Sequence, residues 1–117
     1  MTEMYRFETA NFTVVAMIEP DHDLDLSWDE TGEVADKLER GVYEAFETKV
    51  AVYHGDTEIG ADYLGGSIYE NPRDFFKEHI GAKGKYGSYF RDMVRSAIAE
   101  ARKNYKPAKP VKLRAAK

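Results

Sequence analysis

An apolar stripe near the C-terminal end of the chain constrains the fold more than any other feature. Its six residues recur at i, i+3, i+4, i+7, i+8 and i+11, which places them on one side of an α-helix. They are Phe90, Met93, Val94, Ala97, Ile98 and Ala101. The stripe predicts a helix that begins just after Ser88, a residue suited to capping, and that covers one face of a sheet.

Two β-rich regions are expected to supply that sheet. Residues 12–18 are mostly apolar and β-branched and are followed by Pro20, which predicts one long strand over 5–19, broken near Asn11. Residues 46–53 and 59–69 predict two further strands, and Gly-Asp between them is typical of a hairpin turn. Gly65 and Gly66 indicate a bulge or the close approach of another backbone.

Short helices complete the predicted fold. Ser27 and Glu30 have the spacing of a capping box, which predicts a helix over 28–40 that stops at Gly41. Asn71 as N-cap, followed by Pro72, predicts a helix over 72–80. These elements predict an α+β fold: a two-layer sandwich of about three antiparallel strands, packed by the C-terminal amphipathic helix plus one or two short helices. Residues 1–104 are expected to form this single domain, and residues 105–117 a basic tail that contains prolines.

Composition excludes several classes of protein. The 117 residues suit one domain. Without cysteine the chain has no disulfide, no thiolate nucleophile and no thiolate metal site. No apolar run approaches the roughly 18 residues of a membrane span, and the first residues do not resemble a signal peptide. A cytoplasmic location and no membrane partner are therefore expected.

The charge of the chain is strongly polarised. Residues 19–33 contain seven acidic residues and no Lys or Arg. These acidic residues are Glu19, Asp21, Asp23, Asp25, Asp29, Glu30 and Glu33. Residues 101–117 contain seven basic residues and no acid. Blocks of opposite sign attract oppositely charged partners, or neutralise each other within one molecule.

No cofactor, metal or catalytic residue is predicted. The D-x-D-x-D run that starts at Asp21 begins like a calcium loop, but Leu26 and Gly32 stand where that loop needs Gly and Glu. The three histidines lack a metal-binding spacing. No nucleophile motif or marked carboxylate pair is present, and Asp62, within a predicted strand, is the one acid in an unusual position. We therefore do not expect an enzyme.

A glycine-rich loop at residues 81–88 precedes the C-terminal helix. Its G-A-K-G run locally resembles the G-x-x-G loop of the KH domain, which joins two helices and clamps nucleic-acid backbone. This resemblance implies an alternative function, a nucleic-acid-binding module that uses the loop and the basic tail. Its candidate residues are Gly81, Lys83, Gly84, Lys85, Arg102, Lys103 and Lys106.

Three stretches resemble a group of small accessory proteins carried by phages and conjugative plasmids. They are F-T-V-V-A-M-I-E-P-D-H-D-L-D-L-S-W from Phe12, G-D-T-E-I-G-A-D-Y-L-G-G from Gly55, and F-R-D-M-V-R-S-A-I-A-E-A-R from Phe90. The resemblance implies an accessory function rather than a reaction, of the kind served by anti-CRISPR and anti-restriction inhibitors.

The leading hypothesis is a non-enzymatic interaction protein. Its acidic block binds a basic surface of a host protein, such as one that normally holds nucleic-acid phosphates. Trp28, with Leu24 and Leu26 nearby, is the candidate apolar anchor, although a lone Trp at a helix start is also typical of a core. Self-association through the aromatic N-terminus or the glycine-containing strand is a third hypothesis.

Overall fold

The computed structural model describes residues 1–79 and 89–105. Within these residues, four strands form one antiparallel sheet in the order β1-β2-β3-β4. The elements are β1 (Thr2–Glu8), β2 (Thr13–Pro20), α1 (Glu33–Glu39), β3 (Glu44–His54), β4 (Thr57–Tyr69), α2 (Arg73–His79) and α3 (Tyr89–Asn104). The predicted α+β class is confirmed, with four strands in place of about three.

The fourth strand arises at the break that the sequence predicts near Asn11, because this break is a reversal of the chain that separates two strands. The chain turns back between Glu8 and Thr13, so that β1 and β2 pair as an antiparallel hairpin. Thr9 closes the turn: its N–H donates to the Phe12 carbonyl at 2.8 Å, and its hydroxyl accepts from the Phe12 N–H at 3.1 Å. A short polar side chain that bonds nearby backbone favours a turn over a continuous strand.

The core lies between one face of the sheet and the helices α2 and α3. Its members alternate along β2 and β3 and follow the predicted stripe of α3. The core residues are Phe12, Val14, Ala16, Phe46, Val50, Val52, Phe75, Phe76, Phe90, Met93, Ala97 and Ala101. The small residues Ala97 and Ala101 let α3 cross β4 closely at Gly60, which is also buried.

The predicted hairpin and bulge in the second half of the sheet are confirmed. β3 and β4 are joined by the two-residue turn Gly55-Asp56. Phe46 pairs with Ser67 but Thr48 pairs with Leu64, so β4 contains one extra residue between them. The extra residue falls at Gly65-Gly66, and Gly66 has the left-handed φ of +75° that glycine adopts without strain.

The helices α2 and α3 lie where they are predicted. Asn71 caps α2, because its side-chain oxygen accepts the Arg73 N–H at 3.0 Å. α3 begins at Tyr89, next to the predicted cap Ser88. Ser88 and the predicted stop at Gly81 lie outside the described residues.

α1 is shorter than predicted, and the capping box does not form. The helix begins at Glu33 rather than at residue 28, and its N-cap is Gly32 in a left-handed conformation. Ser27 is engaged elsewhere, because its N–H donates to the Asp25 carboxylate at 2.9 Å. The predicted stop at Gly41 is correct, since α1 ends at Glu39 and Arg40 is its C-cap.

One buried hydroxyl supports a stability prediction. Thr48 is 0% exposed, and its Oγ1 has no hydrogen-bond partner among the described residues. An unsatisfied buried polar group costs about 1–3 kcal/mol, so we expect Thr48→Val to raise the free energy of unfolding by about 1 kcal/mol. Urea denaturation followed by circular dichroism measures the change.

The matched control is Thr48→Ala, which also removes the hydroxyl but leaves a cavity. It should be less stable than Thr48→Val. If Thr48→Val instead destabilises the protein by 1 kcal/mol or more, the hydroxyl has a partner, such as an ordered water.

Candidate functional site

Most of the acidic residues of the 19–33 block lie in a loop that Asp21 attaches to the sheet. We call residues 21–32, between β2 and α1, the acidic loop. The Asp21 N–H donates to the Ala45 carbonyl at 3.1 Å, and its Oδ1 accepts the Asp23 N–H at 3.1 Å. Its Oδ2 accepts the Gly66 N–H at 2.8 Å, in the bulge of β4. Asp21 therefore ties the start of the loop to two strands.

Two further aspartates shape the rest of the loop. Asp25 accepts the Ser27 N–H. This bond, and to a smaller extent a bond from the Ser27 hydroxyl, hold the pKa of Asp25 below its usual value. Asp29 accepts the backbone N–H groups of Val34 at 3.4 Å and Ala35 at 2.9 Å. Asp29 thus caps the first backbone N–H groups of α1, whereas the sequence predicts Ser27 as the capping residue.

The remaining acids of the block differ in their partners. Glu33 forms an ion pair with Lys37 at 3.4 Å, one turn along α1. Glu19, Asp23 and Glu30 are exposed, and their carboxylates have no hydrogen bond or ion pair with another described residue. Of the seven predicted binding acids, only Glu33 is paired with a described cation, and Glu19, Asp23 and Glu30 also accept no hydrogen bond from a described residue.

Trp28 lies at the surface of the acidic loop. Its side chain is 58% exposed. The loop turns tightly around it, since the Glu30 N–H donates to the Trp28 carbonyl at 3.1 Å and the Asp29 N–H donates to the Leu26 carbonyl at 2.9 Å. Leu24 and Leu26, the other predicted anchor residues, are half-buried. The structure therefore answers the question that the sequence leaves open: Trp28 is not part of the core.

The two basic residues of the 101–117 block that the structure describes lie at the opposite end of the sheet. Arg102 and Lys103 are exposed in the last turn of α3. The next residue, Asn104, donates its side-chain N–H to the Ile59 carbonyl at 2.8 Å, near the start of β4. The acidic loop follows Pro20 at the far end of β2, and eight strand residues span about 25 Å. The fold does not bring Arg102 and Lys103 to the acidic loop.

Five residues of the alternative nucleic-acid site lie outside the described residues. They are Gly81, Lys83, Gly84, Lys85 and Lys106. Arg102 and Lys103 stand about 20 Å along α3 from Tyr89, where the chain leaves the 81–88 segment. Within α3, the two described residues of the alternative nucleic-acid site are therefore far from the end of the helix that adjoins the 81–88 segment.

Asp62 lies on the helix-covered face of β4, because it pairs with Val50, a member of the core on that face. It is half-buried.

Across residues 1–79 and 89–105, no cluster of three or more His, Asp or Glu side chains is arranged to hold a metal ion. In the same part of the chain, no helix has the length and apolar character needed to cross a membrane.

Comparisons of this chain with protein-family models, with curated protein sequences and with solved structures find no match.

Proposed function

We propose that this is a non-enzymatic interaction protein that docks its acidic loop on a basic surface of a partner protein. The observation that supports the proposal is the exposed indole of Trp28 between acids without cationic partners, Asp23 before it and Glu30 after it. Tryptophan is enriched among the residues that dominate interface energies, and it binds Arg and Lys through its ring face as well as by burial.

Two sets of residues in the loop contribute to binding in different ways: the free carboxylates and Trp28. The free carboxylates steer the encounter and pair with Lys or Arg, which favours a basic surface and disfavours an acidic one. Burial of Trp28 then slows dissociation. Asp21, Asp25 and Asp29 hold the backbone in place through the bonds described above, so less conformational entropy is lost on binding.

We propose that the partner is a host protein that handles nucleic acid. The present protein would then be an accessory inhibitor that belongs to a mobile element. Surfaces that hold phosphates are rich in Arg and Lys, so carboxylates on a rigid loop are able to compete for them. The resemblance to accessory proteins of phages and conjugative plasmids supports this origin.

The first experiment is a pull-down of the tagged protein from a bacterial lysate, with and without nuclease. We expect a host protein whose recovery resists nuclease. Recovery of mainly nuclease-sensitive RNA or DNA would instead favour the alternative, a nucleic-acid-binding module that uses the 81–87 loop and the basic tail.

A charge-reversal pair tests the loop itself. In Asp23→Lys/Glu30→Lys, two exposed carboxylates become ammonium groups, and we expect the affinity for the recovered partner to fall at least tenfold, about 1.4 kcal/mol. The salt dependence of the association rate should weaken as well. Surface plasmon resonance at two ionic strengths measures both quantities.

The matched control is Glu8→Lys/Glu100→Lys, which changes the net charge equally at exposed sites near the other end of the sheet. We expect less than a threefold change in its affinity. Equal losses in the two double variants would mean that only overall charge matters, and the acidic loop would then not be the binding site.

A further inference from the structure

A groove of about 370 Å³ opens on the helix-covered side of the sheet, next to the acidic loop. It lies at the end of the sheet where β2 finishes and β3 begins. Its apolar lining comes from four parts of the fold: Ile18, Pro20, Leu38, Tyr43, Phe46 and Pro72. At this volume it is near the lower limit of ligand pockets, which suits a few side chains rather than a whole helix.

The walls of the groove are held in place without a ligand. Phe46 is 2% exposed and forms the floor. Tyr43 is fixed by Lys37, whose ammonium donates to the Tyr43 hydroxyl at 3.4 Å and lies 5.1 Å from the centre of its ring. The N–H of Tyr43 also donates to the Lys37 carbonyl at 3.1 Å. A preformed apolar groove binds with little ordering cost.

The rim of the groove is negative. Glu44 borders it on the same face of the sheet as Phe46 and is exposed, whereas the side chain of Glu19 lies on the opposite face, since Glu19 follows the core-facing Ile18 in β2. The Glu44 carboxylate has no hydrogen bond or ion pair with another described residue. Lys37, on the same helix as Leu38, is already engaged by Glu33 and Tyr43. The charge of the rim therefore complements a basic occupant and repels an acidic one.

We infer that the groove receives apolar side chains from a Lys- and Arg-rich segment of the partner protein. The inference rests on the proposed function, since it extends the same acidic surface beyond the loop, and it adds the class of segment that is recognised. A basic residue of the segment pairs with Glu44, while a neighbouring apolar side chain covers Tyr43 and Leu38. Selectivity for apolar residues within a basic sequence then comes from the groove, not from charge.

The experiment uses the full chain, labelled with ¹⁵N, and two eight-residue peptides. One peptide has a Leu-Phe pair flanked on each side by three basic residues, and the other has Ser-Ser in place of Leu-Phe. We expect the Leu-Phe peptide to shift the backbone resonances of Ile18, Leu38 and Tyr43 and to bind at least tenfold more tightly than the Ser-Ser peptide.

Two variants separate the groove from the loop. Leu38→Arg places a bulky cation in the groove, and we expect it to abolish the preference for Leu-Phe. The loop variant Asp23→Lys/Glu30→Lys should keep that preference. An unchanged amide spectrum away from residue 38 verifies that Leu38→Arg is folded, and Tyr43→Ser provides a second groove variant with the same expected loss.

Equal affinity for the two peptides, or shifts confined to residues 21–32, would overturn the groove inference and leave the proposed function standing. The absence of any shift with either peptide would overturn it too. Concentration-dependent shifts at Leu38 without peptide, together with a dimer mass by light scattering, would assign the groove to a second copy of this chain instead. The proposed function fails separately, if the loop variant binds the recovered partner like its control.

Discussion

Gly60→Ala is expected to destabilise the protein by about 3 kcal/mol or more, because α3 leaves no room for a side chain at this position. An added Cβ would collide with the Ala97 carbonyl oxygen and would lie 2.7 Å from the Ala101 nitrogen. Both obstacles are helix backbone, so no side-chain rotation relieves the overlap. α3 would have to move away from the sheet, and the fully buried Ala97 and Ala101 would lose their packing.

The measurement is urea denaturation at 25 °C, with the melting temperature as a second readout. A small domain has about 5–15 kcal/mol of stability in total, so a loss of this size removes a large part of it. The matched control is Gly65→Ala in the same strand, where the nearest atom to an added Cβ is the Asp21 carboxylate oxygen at 3.4 Å. If Gly60→Ala differs from the wild type by less than 0.5 kcal/mol, the close crossing of α3 over β4 is wrong.

Phe46→Ala is expected to cost about 3–5 kcal/mol, the usual loss for truncating a buried aromatic residue. Phe46 is among the largest fully buried side chains and joins two parts of the core. Its ring meets Phe75 of α2 edge-on at 5.9 Å and Tyr69 of β4 at 5.8 Å. Truncation therefore removes the contact between the sheet and α2 as well as apolar area.

Tyr63→Ala is the control for Phe46→Ala, because Tyr63 is an aromatic strand residue that is 58% exposed. We expect it to change the free energy of unfolding by less than 1 kcal/mol. Similar losses in the two variants would contradict the position of Phe46 in the core. Because Phe46 also forms the floor of the groove, its truncation does not separate binding from folding, and this is why Leu38 and Tyr43 serve as the groove variants.

Local patterns predicted the elements whose cause lies within a few residues. The stripe of α3, the Gly55-Asp56 turn and the Asn71 cap each depend on neighbours close in the chain, and each is confirmed. The bulge at Gly65-Gly66 was also predicted, since paired glycines inside a strand disfavour regular pairing.

Where two local signals compete, hydrogen bonds decide which structure forms. Ser27 and Glu30 have the spacing of a capping box, but the Asp29 carboxylate satisfies the first N–H groups of α1 instead. The sequence predicts a strand over 5–19 that is broken near Asn11, and the Thr9 turn at this break reverses the chain, so that two paired strands form. Both alternatives agree with the composition, and the choice between them depends on which hydrogen bonds form.

The sequence by itself determined the fold class, the helix that covers the sheet and the polarised charge, because hydrophobic period and charge are read directly along the chain. Only the tertiary structure decided which acids remain free, that Trp28 is exposed and that an apolar groove opens beside Glu44. Each of these depends on contacts between distant residues, such as Asp21 with Gly66 or Leu38 beside Pro72. Contacts between distant residues decide whether a side chain is buried and whether it has a hydrogen-bond or ion-pair partner, and a local sequence pattern does not encode such contacts.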